Sequence, residues 1–154
     1  MQCLELPDYN YNILRAILGI KVVEKDIPTP SGDEVLVKMK YSPCNPSDIA
    51  FIRGVYNVKK AVPLVPGFEA TGKVEVAGEQ AKYLKGKTVS CYATGNKTGT
   101  WAEYFIAKES DCIINNFDIA DEQKACFLIN PFTAYGLIER CKKSGAKAIA
   151  INAA

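Results

Sequence analysis

The side chains that could carry acid–base or metal chemistry are limited by what the sequence lacks. It contains no histidine, and none of its six cysteines forms a Cys-x-x-Cys pair. Because zinc sites are usually built from closely spaced cysteines and histidines, we expect no metal site. A serine or cysteine nucleophile activated by histidine is excluded for the same reason. Proton transfer therefore falls to tyrosine, aspartate, glutamate, lysine, water or a cofactor hydroxyl.

Two Asn-Pro pairs, Asn45-Pro46 and Asn130-Pro131, predict two helix starts. Asparagine is a favoured N-cap because its side-chain oxygen accepts a free backbone N–H. Proline fits the first helical position, where its missing N–H costs nothing. Such helix starts also attract phosphate or carboxylate oxygens. The spacing is compatible with both roles, so an anion site beside these caps stays open.

Short strands dominate the first 120 residues. They are predicted within residues 13–24, as one or two strands, and over 35–41, 70–77, 86–92, 101–107 and 112–114. A helical turn over 48–53 should end at Gly54, and the polar segment 94–99 (TGNKTG) should form a turn. Many short strands joined by glycine and proline turns predict a mainly β fold with a few helices, arranged as a closed or nearly closed barrel.

The pattern becomes helical at Asp121, where acidic residues suit a helix start. Proline disrupts a helix interior, so we predict two helices that break near Asn130-Pro131, the second ended by Gly145. Residues 147–154 (KAIAINAA) then predict a buried strand. A short apolar strand after a helix is typical of the beginning of a dinucleotide-binding fold. We therefore predict a barrel over 1–120, with connecting helices and the first strand of a truncated second domain over 121–154.

The composition predicts a globular domain. Of 154 residues, 48% are hydrophobic and 23% charged, and the formal net charge is +2. This charge is too small and too scattered to indicate nucleic-acid binding, and no apolar run is long enough for a membrane span. The first ten residues lack the pattern of a signal peptide. With reduced thiols assumed, we expect a cytoplasmic protein with a small-molecule substrate.

Four stretches together resemble the medium-chain dehydrogenase/reductase superfamily. They are NPSDIAFIRGVY (45–56), VPGFEATGKVEVAG (65–78), GTWAEYFIA (99–107) and NPFTAYGLIE (130–139). They occur in the family's order and at its spacings. The resemblance implies a GroES-like barrel as the catalytic domain, followed by a Rossmann domain, absent here, that would hold most of a nicotinamide dinucleotide. It also implies that the full-length protein is a homodimer.

The zinc-dependent branch of that superfamily is the poorer match. Phe68 stands where that branch has a histidine ligand, and Cys44 is out of register with its cysteine ligand. The zinc-free branch, with quinone oxidoreductases and 2-enoyl thioester reductases, fits better and implies NADPH without zinc. Two alternatives remain open: a zinc-type alcohol dehydrogenase that has lost its metal, and a non-catalytic GroES-like binding or assembly module.

The resemblance also assigns candidate site residues. Tyr56 matches the tyrosine that enoyl reductases use as a hydrogen-bond or proton donor, and is the predicted catalytic residue. Asn45 and Thr133 match residues at the nicotinamide end of the cofactor cleft. Asp48 and Glu69 are predicted to support local backbone, and Phe68 to pack in the core. Further candidates for phosphate contact, with solvated surface as the simpler interpretation, are Arg53, Lys59 and Lys60. The 154 residues alone are expected to be nearly inactive.

Overall fold

A curled antiparallel sheet is the frame of the molecule. The structure is a computed structural model that describes residues 1–93 and 98–151. Its seven strands are β1 (Gln2–Glu5), β2 (Lys21–Glu24), β3 (Glu34–Tyr41), β4 (Glu69–Ala77), β5 (Thr88–Tyr92), β6 (Tyr104–Lys108) and β7 (Cys112–Ile114). Five of them form one sheet in the order β6-β3-β4-β5-β7, and β1 pairs with β2 in a second sheet. All pairings are antiparallel.

The described helices accompany this sheet, and one of them, residues 121–125, contacts its three interior strands. They are α1 (Ile13–Gly19), α2 (Pro46–Ile52), α3 (Asp121–Ala125) and α4 (Ile129–Lys143), with 3-10 turns at Glu79–Leu84 and Glu109–Asp111. In the described part of the chain, no helix has the length and apolarity that a bilayer crossing requires.

The central pair of strands, β3 and β4, gives the sheet its curl. Two register shifts interrupt their ladder, between Leu36 and Val37 and between Met39 and Tyr41. Such irregularities increase strand twist and bend the sheet. Gly72 lies at this crossing, where a Cβ atom would overlap the Lys38 carbonyl, so only glycine allows the approach. The result is a curled half-barrel, which agrees with the mainly β fold that the strand pattern predicts and is more open than the predicted closed or nearly closed barrel.

Two apolar clusters stabilise the fold. One fills the concave side of the sheet with residues of β3 to β7, among them Val35, Val89 and Phe105. The other joins α1, α2 and the segment before β4 through Leu6, Ala16, Phe51, Ile52, Leu64 and Phe68. The second cluster supports the loops at one end of the sheet, which is where the candidate site lies.

The first apolar segment differs from the prediction. Residues 13–19 form helix α1, and only 21–24 form a strand. The Asn12 side chain caps this helix by accepting a hydrogen bond from the Arg15 N–H at 3.1 Å. A cap of this kind favours helix locally, even where isoleucine and leucine dominate the sequence. The prediction of strand over residues 13–19 was therefore wrong.

The C-terminal region also departs from the prediction in two respects. The break between the helices lies at 126–128, and Leu128, not Asn130, is the N-cap of α4. Pro131 is the third helical residue, where a backbone N–H has no partner within the helix and its loss is tolerated. Residues 147–151 form no strand, and Ile151 is 89% exposed. A strand needs a hydrogen-bonding neighbour, and none of the described strands provides one here.

Two predictions fall partly on undescribed positions. Most of the predicted turn at 94–99, and residues 152–154 of the predicted last strand, lie outside the described residues. The predicted strands over 35–41, 70–77, 86–92, 101–107 and 112–114 are confirmed as β3 to β7 with shifts of a few residues at their ends, and the helical turn at 48–53 is confirmed as α2.

Candidate active site

A cleft with a volume of about 610 Å³ opens between the end of β5, the loop after α2 and the first turns of α4. Tyr56 and Tyr92 contribute phenols to its lining, and Thr133 contributes a hydroxyl. Apolar side chains from α4 and its N-cap, including Leu128 and Ile129, form one wall. Ser110, Asp111 and Ile113 complete the lining, so the cleft combines hydrogen-bond donors and one carboxylate with an apolar surface.

Tyr56 is held in this cleft by the end of α2. Gly54, with φ of 70°, turns the chain, and the Tyr56 N–H then donates to the Ala50 carbonyl at 3.2 Å. The Tyr56 ring packs against Phe68 with 5.3 Å between centroids. Its phenol oxygen has no hydrogen-bond partner among the residues that the structure describes. The predicted catalytic residue thus presents an uncommitted donor to the cleft.

Thr133 lines the same cleft one turn into α4. Its hydroxyl donates to the Ile129 carbonyl at 2.6 Å, a bond common for threonine within a helix. The side chain is exposed on the open side of the cleft. The structure therefore places Thr133 beside Tyr56, and its contact with a cofactor stays a prediction.

Asn45 lies beneath the cleft and does not contribute to its lining. It is buried, and its Nδ2 donates to Oε1 of Glu69 at 2.8 Å. Its Oδ1 accepts from Nδ2 of Asn130 at 3.2 Å, across 85 residues of sequence. The two Asn-Pro pairs, which the sequence predicts as separate helix starts, therefore meet in space. From this position, Asn45 supports the first turn of α4.

Glu69, the first residue of β4, fixes the start of α4 to the sheet. Its side chain is buried, and Oε2 accepts from the N–H groups of Leu128 and Ile129 at 3.0 and 2.9 Å. A carboxylate is favourable here because free N–H groups and the positive end of the helix dipole converge on it. The backbone that Glu69 supports is thus distant in sequence and not local, which corrects the prediction.

Asp48 joins the start of α2 to the strand that carries Glu69. Its two oxygens accept from the N–H groups of Asn45 at 2.8 Å and Phe68 at 3.1 Å. Burial raises the pKa of Asp48 to about 6, and the nearby Glu69 charge adds to this, although the two backbone N–H groups act in the opposite direction. The prediction that Asp48 supports local backbone is confirmed, and the structure adds a link to Phe68.

The raised pKa of Asp48 predicts a specific pH dependence of stability. The folded state holds this proton more tightly than the unfolded state, whose pKa is near 3.8. The free energy of unfolding should therefore fall as the pH rises from about 4 to about 6. We expect this loss to be on the order of 1–3 kcal/mol. Urea unfolding of the wild type and of Asp48→Asn at several pH values from 4 to 7 measures this loss. It appears as a change with pH in the difference between their free energies of unfolding.

Asparagine at position 48 does not titrate, so the variant is the control for every other ionisable group. It should be less stable at pH 7, since its amide nitrogen would face one of the two backbone N–H donors. A difference between the two proteins that stays constant over this pH range would contradict the raised pKa.

Phe68 occupies the centre of an aromatic group. Its ring packs on Phe51 at 5.2 Å as well as on Tyr56, and the side chain is buried. This confirms the core role predicted for it. Within residues 1–93 and 98–151, no group of three or more histidine, cysteine, aspartate or glutamate side chains is arranged to hold a metal ion.

The basic candidates lie apart from the lining of the cleft. Arg53 donates from Nε to the Tyr11 carbonyl at 2.9 Å and stacks over the Tyr11 ring at 5.0 Å. Lys59 is exposed, and burial lowers the pKa of Lys60. None of the three lines the cleft, so the structure favours structural or surface roles for them.

Sequence reasoning missed Tyr92 as a cleft residue and Glu69 as the anchor of α4. Tyr92 ends a strand whose pattern accounts for it as an ordinary strand residue. The contacts of Glu69 span 59 and 60 residues, and no local pattern signals them.

Comparison with known proteins identifies the family of this chain. Residues 31–116, more than half of the chain, match the alcohol dehydrogenase GroES-like domain. The chain is 39% identical over 111 residues to a mitochondrial enoyl-[acyl-carrier-protein] reductase of Caenorhabditis elegans, covering 71% of the chain and 32% of that protein. It is 28% identical over 121 residues to a quinone oxidoreductase of Lama guanicoe, covering 77% and 36%.

The solved structures agree on architecture. A crystal structure of a candidate NADPH:quinone reductase from Mesorhizobium loti superposes with a TM-score of 0.84 at 31% identity, covering 94% of this chain and 45% of that one. The chain spans about a third of the length of the curated relatives it matches and under half of this structure.

Proposed function

Because the chain belongs to the medium-chain dehydrogenase/reductase superfamily, with a GroES-like catalytic barrel, we propose that it is the N-terminal part of a zinc-independent, NADPH-dependent reductase. Its substrate class would be a quinone or an α,β-unsaturated carbonyl compound such as an enoyl thioester. The observation that carries this proposal is the Tyr56 phenol, which faces a cleft at the start of α4 without a partner among the described residues.

The residues present fit one end of a nicotinamide dinucleotide. The apolar wall formed by Leu128 and Ile129 suits a flat ring, and the hydroxyls of Tyr56 and Thr133 suit its polar edge. Among the described residues, no lysine or arginine lines the cleft, and we propose that the charged phosphates are bound by residues outside this chain. Thr133 and Asn45 are the residues we assign to the nicotinamide end, Thr133 by contact and Asn45 by supporting α4.

When bound, the reduced nicotinamide supplies a hydride, which becomes the new C–H bond at the β-carbon of an enoyl thioester. Negative charge then collects on the thioester carbonyl oxygen, and a proton must reach the α-carbon. Tyr56 can donate a hydrogen bond to that oxygen and can supply the proton, because a phenol is protonated near neutral pH. The buried carboxylate of Glu69 holds the α4 wall in place during the reaction.

Zinc independence rests on the side chains available. The sequence contains no histidine, and the Phe68 ring packs directly against the Tyr56 ring. A hydrocarbon ring cannot ligate a metal, so a carbonyl in this cleft would be polarised by phenol donors. For the intact protein we also propose a homodimer. The six free cysteines fit a reducing compartment such as the cytoplasm.

The full-length protein tests the proposal. Purified enzyme with NADPH should reduce crotonyl thioester, 1,4-benzoquinone or both, followed as loss of the reduced-nicotinamide absorbance. Addition of a chelator should leave the rate unchanged. Failure to oxidise NADPH with either substrate would refute the reductase assignment, and a rate abolished by the chelator and restored by zinc would refute zinc independence.

Residues 1–154 alone should bind NADPH with a dissociation constant weaker than about 1 mM, since the phosphates would lack a site. Isothermal titration of this chain against the full-length protein measures the difference. Micromolar binding by the 154 residues would contradict the proposed division of the cofactor site.

A further inference from the structure

Tyr92 is a second phenol in the cleft, and the mechanism above does not use it. It is the last residue of β5 and lies opposite Glu69 in the β4–β5 ladder. Opposed residues of an antiparallel pair project from the same face of the sheet. The Tyr92 side chain therefore lies on the side of Glu69, toward the first turn of α4, and lines the same cleft as Tyr56.

The Tyr92 ring is held in place while its hydroxyl is uncommitted. The half-buried ring packs against the cluster that contains Phe68 and Tyr56. Across residues 1–93 and 98–151, its oxygen has no hydrogen-bond partner. The oxygen is not among the fully buried atoms that lack a partner, so it is open to water or to a ligand in the cleft. A rigid ring with an unused hydroxyl on the wall of a cleft fits a contact that a ligand completes.

The protonation state of Tyr92 makes it a donor. Burial raises its pKa above the ordinary value, and the negative charge that Tyr56, Asp48 and Glu69 can carry raises it further. In the part of the chain that the structure describes, no cationic side chain contributes to the lining of the cleft, and Asp111 contributes a carboxylate. Tyr92 thus keeps its proton at neutral pH and can donate a hydrogen bond, but it does not serve as a base.

The two phenols are separate donors. They come from different elements, the loop after α2 and the end of β5, and neither bonds the other. A bound substrate that excludes water must satisfy both, because a desolvated donor without an acceptor is costly. A substrate with two acceptor oxygens, such as a 1,4-quinone, can give each phenol an oxygen of its own, whereas a compound with one carbonyl offers both phenols a single oxygen.

We infer that Tyr92 is a specificity-determining residue, whose hydroxyl binds the second carbonyl oxygen of a dicarbonyl substrate while Tyr56 faces the carbonyl being reduced. This inference rests on the proposed reductase function. It assigns no proton transfer to Tyr92, so its effect should appear in substrate affinity.

The test compares 1,4-benzoquinone, a conjugated six-membered ring with two carbonyl oxygens, with 2-cyclohexenone, a six-membered enone with one. In the full-length protein, Tyr92→Phe should raise KM for benzoquinone about 5- to 10-fold with kcat changed less than twofold, the loss of one neutral hydrogen bond. The affinity for cyclohexenone, measured as KM or as a competitive inhibition constant against benzoquinone, should change less than twofold. Tyr83→Phe, an exposed tyrosine outside the cleft, is the matched control.

The outcomes separate the two proposals. If the wild type is active and Tyr92→Phe leaves both affinities unchanged, or weakens both equally, the specificity role is refuted and the reductase function stands. If the wild type fails to oxidise NADPH with every substrate offered, the reductase function fails and the inference fails with it. The variant retains the aromatic ring at position 92, so an unchanged thermal midpoint confirms that it is folded.

Discussion

Replacement of Tyr56 by phenylalanine should lower kcat/KM for a crotonyl thioester by roughly 100-fold or more, the range for loss of a positioned proton donor. The thioester needs that donor because charge collects on its carbonyl oxygen and a carbon must be protonated. A quinone needs less, since its reduced oxygens take protons from water, so its kcat/KM should fall by about tenfold at most. Steady-state rates of the full-length protein with both substrates give the comparison.

Tyr11→Phe is the control for Tyr56→Phe, because it removes an exposed phenol that does not line the cleft. In Tyr56→Phe the ring that remains should still pack on Phe68, so unfolding should be nearly unaffected. Equal rates for wild type and Tyr56→Phe on both substrates would remove Tyr56 from the mechanism. A loss confined to the thioester would identify enoyl reduction as the reaction for which this site is built.

Replacement of Glu69 by alanine should lower the free energy of unfolding by about 3–4 kcal/mol, because loss of a buried charged partner has a cost of this size. It would leave the Asn45 amide and the N–H groups of Leu128 and Ile129 without their acceptor. Urea unfolding, followed by circular dichroism or by fluorescence, measures the change in the free energy of unfolding.

Two further variants define the cause of that loss. Glu75→Ala, on the same strand, removes an exposed carboxylate paired with Lys38 at 3.7 Å and should cost less than about 1 kcal/mol. Glu69→Gln keeps one acceptor oxygen and should fall between the two. Equal losses for Glu69→Ala and Glu75→Ala would show that the bonds to α4 contribute nothing to stability.

The sequence predicts correctly those strands whose alternating apolar and polar residues are a local signal. The alternation in 35–41 and 70–77 is confirmed as β3 and β4, because those strands have one face on the core. The apolar residues of 13–19 misled the prediction, since the Asn12 cap decides for helix. The last segment was misjudged because a strand depends on neighbours that the described residues do not include.

The site was predicted only as far as individual residues carry a family signature. Tyr56 and Thr133 lie together in the cleft, as the resemblance implies, while their chemical roles stay predictions. The hydrogen bonds that hold the site together join residues far apart in sequence, such as Asn45 with Asn130. A single sequence contains no periodicity or spacing that reports such contacts.

The attachment of α4 to the sheet has a consequence for how such a site can change over evolutionary time. Glu69 accepts hydrogen bonds from the main-chain N–H groups of Leu128 and Ile129. Every residue except proline has such an N–H group. These hydrogen bonds therefore do not depend on which side chains occupy the two positions, although Ile129 also packs against the cluster that contains Phe68. Substrate range can drift at position 128 without loss of the joint, whereas position 69 needs a side chain that accepts several hydrogen bonds at once.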